Sequence, residues 1–422
     1  MTFPESGEIQ PGVPGGEEIV APLPRITLQA FCETPAVAAA MQGVVADRRM
    51  DKAHARIQMG GPAAAVEAFR AAPTPNVIVL ETVSDPATLV ANLDALSESC
   101  DAGTKVVVIG HVNDVQLYRD LIRRGVSEYL IAPLETLDVL RTLSELYIAP
   151  EARHLGRVIA VTGAKGGVGA STVAHNISWA IARSLDASTV IVDLDIAFGT
   201  AGLNFNQDPP QGIAEAVFAP ERLDANMLDR LLSRCSDNLA LLAAPAMLDR
   251  TVDLGEDALE QLLDLLRASV PYIVLDVPHQ WGAWVKRTLL GADEIVIVAE
   301  PELASLRNAK NFIDLARAAR PNDNGARLVL NQIGMPKRPE IAAAEFAKTL
   351  GVEVLSTIPF DAQLFGTAAN NGQMIAEVQA GSKANEAFTQ IASALTGRGE
   401  ARRSRRSLLE PLVSKLKRRK AS

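Results

Sequence analysis

Short apolar runs alternate with helix-like stretches along most of this chain. Between residues 26 and 148 there are five such runs, which read ITLQAFC, ARIQM, NVIVLET, KVVVIG and SEYLIAP. Stretches with the helical spacing of apolar residues lie between them, as in VNDVQLYRDLIRRG. Alternation of this kind predicts a parallel sheet covered by helices, and five units fit a flavodoxin-like domain.

A second alternating region runs from 157 to about 397. Its strand candidates are RVIAVTG, STVIVDLD, LALLAAP, YIVLDVP, EIVIVAE, ARLVLNQ and VLSTIP. Near-continuous β-branched runs are typical of strands buried on both faces of a sheet. A polar connector, APEARHLG, spans 149–156, and 422 residues exceed what one core normally holds. The sequence therefore predicts an α/β protein with two doubly wound parallel-sheet domains.

The two ends differ in composition from the rest of the chain. Residues 1–25 contain five prolines, four glycines and four acids without helical or strand periodicity, which predicts disorder. Residues 398–422 carry ten Lys or Arg against Glu400 and Glu410, in a chain whose net charge is −9. The apolar residues of this tail share one face of a potential helix that could bind an anionic membrane surface. A solvated charged tail is an equal alternative, and nonspecific DNA binding is a third.

Composition also bears on compartment and partners. The chain has no run of eighteen apolar residues and no secretory signal pattern, and its three cysteines share no CxxC spacing. These features predict a cytoplasmic protein with reduced thiols and no zinc site. Because the basic tail follows an acidic body, no specific nucleic-acid partner is expected.

The stretch VTGAKGGVGAST, at 161–172, joins a predicted buried strand to a predicted amphipathic helix. A glycine-rich turn in this place lets backbone N–H groups and the helix N-terminus bind phosphate. The usual phosphate-binding loop has lysine directly before its hydroxyl residue, whereas Ala170 occupies that position here. The residues expected to contact a nucleotide are Gly163, Ala164, Lys165, Gly166, Gly167, Val168, Gly169, Ala170, Ser171 and Thr172.

Several motifs in 157–397 resemble, in their order, the MinD/ParA group of P-loop ATPases. They are KGGVGAST, VIVDLDIAFG, YIVLDVP, LVLNQ and STIPFDAQLFGTAANNGQMI. The resemblance implies ATP and Mg²⁺ as cofactors and a homodimer that forms through the nucleotide face. In such a dimer Lys165 would reach the phosphates bound by the partner chain.

The same resemblance implies roles for further residues. Mg²⁺ would be held by a hydroxyl and two carboxylates, those of Ser171, Asp193 and Asp276. Asp195 would orient the attacking water, and Asn331 and Pro359 would lie beside the adenine base.

Ala170 bears on whether ATP is cleaved. The usual loop lysine contacts the β- and γ-phosphates and stabilises charge that develops in the transition state. Without it, backbone amides, the helix end and Mg²⁺ still favour binding, whereas hydrolysis is expected to be weak or absent. Lys165 could compensate only from a dimer partner.

Residues 26–148 resemble a response-regulator receiver domain that lacks the receiver's chemistry. Glu81 stands where receivers have the acceptor aspartate, Gly110 where they have a hydroxyl residue and Ala132 where they have lysine, while Glu33 alone remains of an acidic pair. Phosphotransfer needs a nucleophilic carboxylate, Mg²⁺ and cations, so the prediction is a pseudo-receiver that serves protein interaction. Glu81 is either a fixed stand-in for a charged aspartate or a solvated acid at a strand end, and the second interpretation is favoured.

The pairing of a degenerate receiver with a deviant-loop ATPase domain resembles the CpaE/TadZ family of pilus assembly proteins. The resemblance implies a localisation or assembly factor for a Tad/Flp-type pilus or related secretion machinery, whose pseudo-receiver docks assembly proteins. It also implies a place at the inner face of the plasma membrane or at a cell pole. Two alternatives stay open: an active MinD/ParA-like ATPase that positions or partitions cargo, and a scaffold with a vestigial ATP site.

Overall fold

The structure, a computed structural model, describes residues 20–101, 103–147, 155–209, 211–245 and 254–397. They form two compact units. Of the described residues, the smaller unit comprises those between 20 and 155 together with Ala318–Asn324, and the larger unit comprises those within Gly156–Arg317 and from 325 to 397. Within the smaller unit, Asp323 of the segment 318–324 pairs with Arg48 at 2.7 Å. The basic tail at 398–422 lies outside the described residues.

The smaller unit is built on a parallel sheet with strand order β2-β1-β3-β4-β5. Its strands are β1 (Thr27–Cys32), β2 (His54–Met59), β3 (Val77–Glu81), β4 (Lys105–Gly110) and β5 (Glu128–Ile131). Its helices are α1 (Pro35–Val45), α2 (Gly61–Phe69), α3 (Pro86–Ser97), α4 (Val115–Arg123) and α5 (Thr136–Glu145). This is the flavodoxin-like order, and each of the five predicted runs coincides with one strand to within a residue or two.

Helices cover both faces of this sheet, and every residue of the central strand β3 is buried. On one face, Met41 of α1 and Leu143 of α5 pack into one apolar cluster. On the other, Phe69 of α2 and Leu89 of α3 belong to a second cluster. The fully buried β3 explains why NVIVLET reads as a continuous apolar run.

The chain enters the smaller unit earlier than its composition predicts. Val20 and Leu23 are buried in the core, and the N–H of Leu23 donates to the carbonyl of Arg49 at 2.9 Å. The prediction of disorder is therefore wrong for 20–25, where prolines flank apolar residues that anchor the segment. The rest of the predicted segment, 1–19, lies outside the described residues.

Helix α4 leaves apolar side chains in solvent. Val115, Tyr118 and Ile122 recur at helical spacing on this helix, and all three are exposed. Val112, just before the helix, and Ile131, at the end of β5, are exposed as well. We call these five residues the α4 face; Val115, Tyr118 and Ile122 share one side of the helix, and exposed apolar patches are typical of protein-contact surfaces.

The larger unit is built on a sheet with strand order β13-β12-β11-β6-β10-β7-β9-β8. Its strands are β6 (Arg157–Gly163), β7 (Thr189–Asp193), β8 (Ser233–Arg234), β9 (Leu239–Leu242), β10 (Tyr272–Val277), β11 (Glu294–Ala299), β12 (Arg327–Ile333) and β13 (Val354–Pro359). The seven predicted strands are all present and parallel. The additional strand, β8, pairs antiparallel with β9 at the edge of the sheet.

Eleven helices belong to the described part of this unit. They are α6 (Ala170–Ser184), α7 (Ala201–Asn204), α8 (Ile213–Phe218), α9 (Ala225–Leu231), α10 (Glu256–Ser269), α11 (Ala283–Gly291), α12 (Leu303–Ala319), α13 (Ala343–Leu350), α14 (Ala362–Asn371), α15 (Ile375–Val378) and α16 (Lys383–Leu395). No helix in the described ranges is both long and apolar enough to cross a membrane.

The sheet order brings the loops that follow β6, β7 and β10 to one edge of the larger unit. β6 lies between β11 and β10, and the chain passes from β6 through α6 to β7 on the far side of β10. Parallel strands share one carboxyl edge, and ligands bind there where the strand order reverses. The register places Asp276 of β10 beside Asp193 of β7.

Candidate functional site

The loop between β6 and α6 has the backbone geometry that its glycines permit. Gly167 and Gly169 have φ angles of 84° and 83°, in the left-handed region that other residues rarely adopt. Gly169 is also the N-cap of α6, and this helix has no side-chain cap hydrogen bond. The first N–H groups of the helix are therefore available to an anion.

Four side chains hold the carbonyl groups of this loop. The carbonyl oxygen of Gly163 lies 2.9 Å from Nδ1 of His279. The next three contacts are made by side-chain amides, from Asn308 to Ala164 at 2.8 Å, from Asn331 to Val168 at 2.8 Å and from Gln332 to Gly167 at 3.3 Å. Because N–H and C=O point in opposite directions across a trans peptide, holding the carbonyls fixes the direction of the N–H groups.

The two residues predicted to lie beside the adenine base are Asn331, which contacts the loop, and Pro359, which lies at the carboxyl end of β13. Asn331 is buried, and its amide nitrogen is occupied by Val168. Pro359 ends β13 and pairs in register with Ile333. Asn331 thus contributes to the shape of the loop, a role that its position at the end of a strand did not reveal.

The predicted metal-site residues come together below the start of α6. The hydroxyl of Ser171 donates to Oδ1 of Asp276 at 3.2 Å. Oδ2 of the same carboxylate lies 3.3 Å from Nε2 of His175, which is buried. Asp193 is adjacent on the next strand. Within the described ranges, no group of three or more His, Cys, Asp or Glu is arranged so that it could hold a metal ion.

Asp193 is a buried carboxyl in an unfavourable place for a negative charge. Its two oxygens accept the N–H groups of Asp195 and Ala201, each at 3.1 Å. Burial and the neighbouring charge of Asp276 raise its pKa to about 7. A carboxyl that is reluctant to ionise, on the strand beside a second carboxyl that accepts a hydroxyl, fits a Mg²⁺ site because a divalent cation would favour both charges.

This pKa leads to a prediction for stability. Between pH 4 and 7 the unfolded chain ionises Asp193 while the native protein keeps its proton, so the free energy of unfolding falls as pH rises through this range and levels off above pH 7. We expect Asp193→Asn to remove that fall, so that the wild type loses stability relative to the variant between pH 5 and pH 8. Urea unfolding at the two pH values measures the difference. Asp195→Asn is the control, and an equal change in both variants would contradict the assignment.

Asp195 lies in the segment between β7 and α7. Its Oδ1 accepts the N–H of Phe198 at 3.0 Å, which closes a turn. The side chain is partly exposed, and so it remains accessible to water at the edge of the site. Its catalytic role stays a prediction.

Lys165 is paired within its own chain. Its Nζ donates to Glu302 at 2.5 Å and lies 3.6 Å from Glu300. The hydrogen bond to Glu302 raises the pKa of this lysine, with the charge of Glu300 acting in the same direction. Glu300 also accepts from Gln332 and Arg338, at 3.1 Å each. An ionic network therefore restrains the residue that was predicted to act on a partner chain.

In the smaller unit, Glu81 is enclosed. It is fully buried, and Oε2 accepts the N–H groups of Glu33 and Thr34 at 2.7 and 2.8 Å. Oε1 accepts the hydroxyl of Thr34 at 2.6 Å and lies 3.0 Å from Nε2 of His111. Burial alone would raise the pKa of Glu81, but these hydrogen bonds outweigh it and lower the pKa. The favoured interpretation of a solvated strand-end acid is therefore wrong, because the loop after β1 folds over the carboxylate.

Gly110 is explained by packing rather than by lost chemistry. A Cβ at this position would overlap the hydroxyl of Tyr129. That hydroxyl donates to the carbonyl of Val112 at 2.8 Å. Tyr129 therefore occupies the space that a side chain at the end of β4 would need.

Comparison with known proteins agrees with the geometry of the larger unit. A family model described as ParA, NUBPL iron-transfer P-loop NTPase, matches residues 154–396. The chain belongs to this family. Among its relatives is the septum site-determining protein MinD of Synechocystis, which is 28% identical over 252 residues, 58% of this chain and 90% of that protein.

Solved structures of similar proteins include two that cover different shares of the chain. A ParA family ATPase from Chlorobium tepidum is 25% identical, has a TM-score of 0.51 and covers 57% of this chain and 98% of its own. A pilus assembly protein CpaE from Caulobacter crescentus is 46% identical, has a TM-score of 0.30 and covers 31% of this chain and 98% of its own. The first supports the P-loop NTPase fold of the larger unit.

Several functional contacts escaped sequence reasoning. They are made by residues that are absent from the predicted site: His279, Asn308, Gln332, His175 and Glu302. The signal that could have found three of them is position: His279 and Glu302 follow the carboxyl ends of β10 and β11, and Gln332 is near the end of β12. His175 is marked instead by its spacing, one helical turn after Ser171.

Proposed function

We propose that this protein binds ATP with Mg²⁺, dimerises when ATP is bound and acts as a localisation or assembly factor for a Tad/Flp-type pilus or a related secretion machinery, with weak or absent hydrolysis. The observation that carries the proposal is a phosphate-binding loop with intact backbone geometry and with Ala170 where the loop cation would be. Such a loop favours binding over turnover.

Different groups of the site would bind the phosphates and the metal ion. N–H groups of the loop and of the first turn of α6 bind the phosphates, and the side chains that hold the loop carbonyls keep these donors in position. Ser171 and Asp276 would hold Mg²⁺, with Asp193 in support, while Thr172 would bond the α-phosphate. When bound, Mg²⁺ supplies positive charge to the β- and γ-phosphates. Asn331 and Pro359 would contact the adenine base.

Exposed apolar residues around the site support dimerisation through this face. Phe198, Trp281 and Leu303 are each more than half exposed. In the sequence, Phe198 comes shortly after Asp195, Trp281 shortly after His279, and Leu303 directly after Glu302. A second copy of the chain would cover apolar surface at the mouth of the site and would bring a second Lys165 to it.

A lysine substitution tests the dimer. We expect Lys165→Ala to bind Mg-ATP as a monomer with an affinity within a few-fold of wild type, and to lose ATP-dependent dimerisation, because the cation that would cross to the partner's phosphates is missing. Light scattering after size-exclusion chromatography, with ATP or a non-hydrolysable analogue, measures this. Lys348→Ala, at an exposed position on α13, is the matched control and should dimerise.

The outcomes separate two parts of the proposal. Normal dimerisation of Lys165→Ala would overturn the role of this lysine across the dimer. Absence of Mg-ATP binding in the wild type, measured by calorimetry, would overturn nucleotide binding and leave a scaffold with a vestigial site.

The pilus assignment rests on the pairing of the two domains in sequence. In the smaller unit, the enclosed Glu81 supports a pseudo-receiver that does not accept phosphate, and the α4 face supports an interaction role. Arg119 on the same helix is exposed, and Arg123 pairs with Asp120 at 2.8 Å, so the proposed occupant is an assembly protein that presents aliphatic side chains and an acidic group opposite Arg119. The protein would act in the cytoplasm, peripherally at the inner membrane face or at a cell pole, with membrane contact through the basic tail.

An active ATPase that positions or partitions cargo is the second candidate. The observation that favours it is the full set of acids, since Asp193, Asp195 and Asp276 are all present at the expected strand ends. Turnover by the wild type that disappears in Asp195→Ala would favour this function over the first.

A further inference from the structure

His175 stands out as a buried polar group that the proposed function does not use. It lies on α6 four residues after Ser171, so both side chains face the same direction on the helix. Both reach Asp276, Ser171 at Oδ1 and His175 at Oδ2. Only 1% of the histidine is exposed.

The hydrogen bonding of His175 determines which ring nitrogen carries the proton. Nδ1 lies 3.0 Å from the amide nitrogen of Asn204. An amide nitrogen only donates, so Nδ1 accepts, and in the neutral ring Nε2 then carries the hydrogen. The ring also packs against Phe205 at a centroid distance of 5.4 Å.

Among the described residues, Nε2 has no hydrogen-bond partner, and it faces the carboxylate of Asp276. It is 3.3 Å from Oδ2 but makes no hydrogen bond of regular geometry with it. A buried donor without a partner is costly, and an apolar side chain would fill the same space without that cost. The imidazole is therefore better explained by the carboxylate that it faces than by packing.

We propose that His175 is a positioning residue of the metal-nucleotide site. Its Nε2, 3.3 Å from Oδ2 of Asp276, limits where this carboxylate can lie by close approach and charge–dipole attraction, which keeps Oδ1 beside the hydroxyl of Ser171 where a cation would be held. Asn204 fixes the tautomer, and Asn204 belongs to α7, whose first residue, Ala201, donates to Asp193. His175 therefore links both carboxylates of the site to α6 and α7, an arrangement that supporting residues of metal sites commonly provide. This inference rests on the proposed binding of Mg-ATP.

Three substitutions of His175 separate positioning from packing. His175→Gln keeps a donor near the place of Nε2, His175→Asn keeps only a group near Nδ1, and His175→Ala keeps neither. The probe is a fluorescent ATP analogue titrated with Mg²⁺ and, separately, in EDTA. We expect the Mg²⁺ concentration for half-maximal effect to rise about 10- to 100-fold in the Asn and Ala variants and to stay within a few-fold of wild type in the Gln variant. Affinity in EDTA should be unchanged in all three.

Asn204→Ala tests the same inference from a partly exposed position that tolerates truncation. Loss of the donor to Nδ1 frees the other tautomer, so we expect a smaller rise in the same Mg²⁺ concentration. Mn²⁺ binding to the protein–ADP complex, followed by electron paramagnetic resonance, gives a readout that needs no hydrolysis.

The outcomes are distinguishable. Equal Mg²⁺ dependence in wild type, Gln, Asn and Ala variants would overturn the inference. So would a loss of affinity in EDTA that matches the loss in Mg²⁺, since that result would indicate packing alone. If the wild type itself binds no nucleotide, the proposed function fails first, and this result is seen before any variant is compared.

Discussion

Replacement of Ala170 by lysine is expected to tighten ATP binding about ten- to a hundredfold, because one hydrogen bond to a charged group contributes about 1.5–3 kcal/mol. Ala170 is the first residue of α6, with its side chain partly buried against the apolar cluster below the loop. A lysine there can extend along the loop towards the β- and γ-phosphates, as in ordinary phosphate-binding loops. Hydrolysis should rise by more than binding, since phosphoryl transfer depends on charge placed at the transition state. Calorimetry and phosphate release measure the two effects.

Ala170→Gln is the matched control for this experiment. Glutamine supplies a long side chain with a donor but no positive charge, so it should change affinity only slightly and leave hydrolysis near the wild-type level. If the lysine variant hydrolyses ATP no faster than the glutamine variant, Ala170 is not what limits turnover. In that case the pairing of Lys165 with Glu302 would be the next restraint to remove.

The strands of both units could be predicted because burial on both faces gives each of them a continuous apolar run. β8 was missed because two residues, Ser233 and Arg234, carry no such pattern and pair at the sheet edge. The start of the smaller unit was placed too late because proline content was read as disorder, although Val20 and Leu23 anchor the segment. Composition reports an average, whereas one or two buried side chains decide where a chain becomes ordered.

The candidate site could be predicted only as far as it follows from strand ends. Asp193 and Asp276 meet because neighbouring parallel strands end at the same edge. The side-chain contacts with the loop carbonyls could not be predicted, because His279 and Asn308 contact residues that are 116 and 144 positions away in the sequence. No local pattern encodes such contacts. The prediction of a solvated Glu81 was wrong for the same reason, since the burial of this carboxylate depends on Thr34, 47 residues earlier in the sequence.

The loop glycines lead to a graded prediction with a large effect. Alanine at Gly169 is expected to weaken ATP binding more than tenfold and to lower the free energy of unfolding, because it combines a strained φ, which costs about 1–2 kcal/mol, with an overlap at 2.5 Å between its Cβ and the Asn331 amide. Alanine at Gly167 meets open space but keeps the strained φ, so its effect should be smaller. Alanine at Gly166 meets neither obstacle and is the matched control. Thermal unfolding and ATP titration should rank the three variants in this order. Equal effects at Gly166 and Gly169 would show that backbone conformation and the Asn331 contact do not determine how the loop binds phosphate.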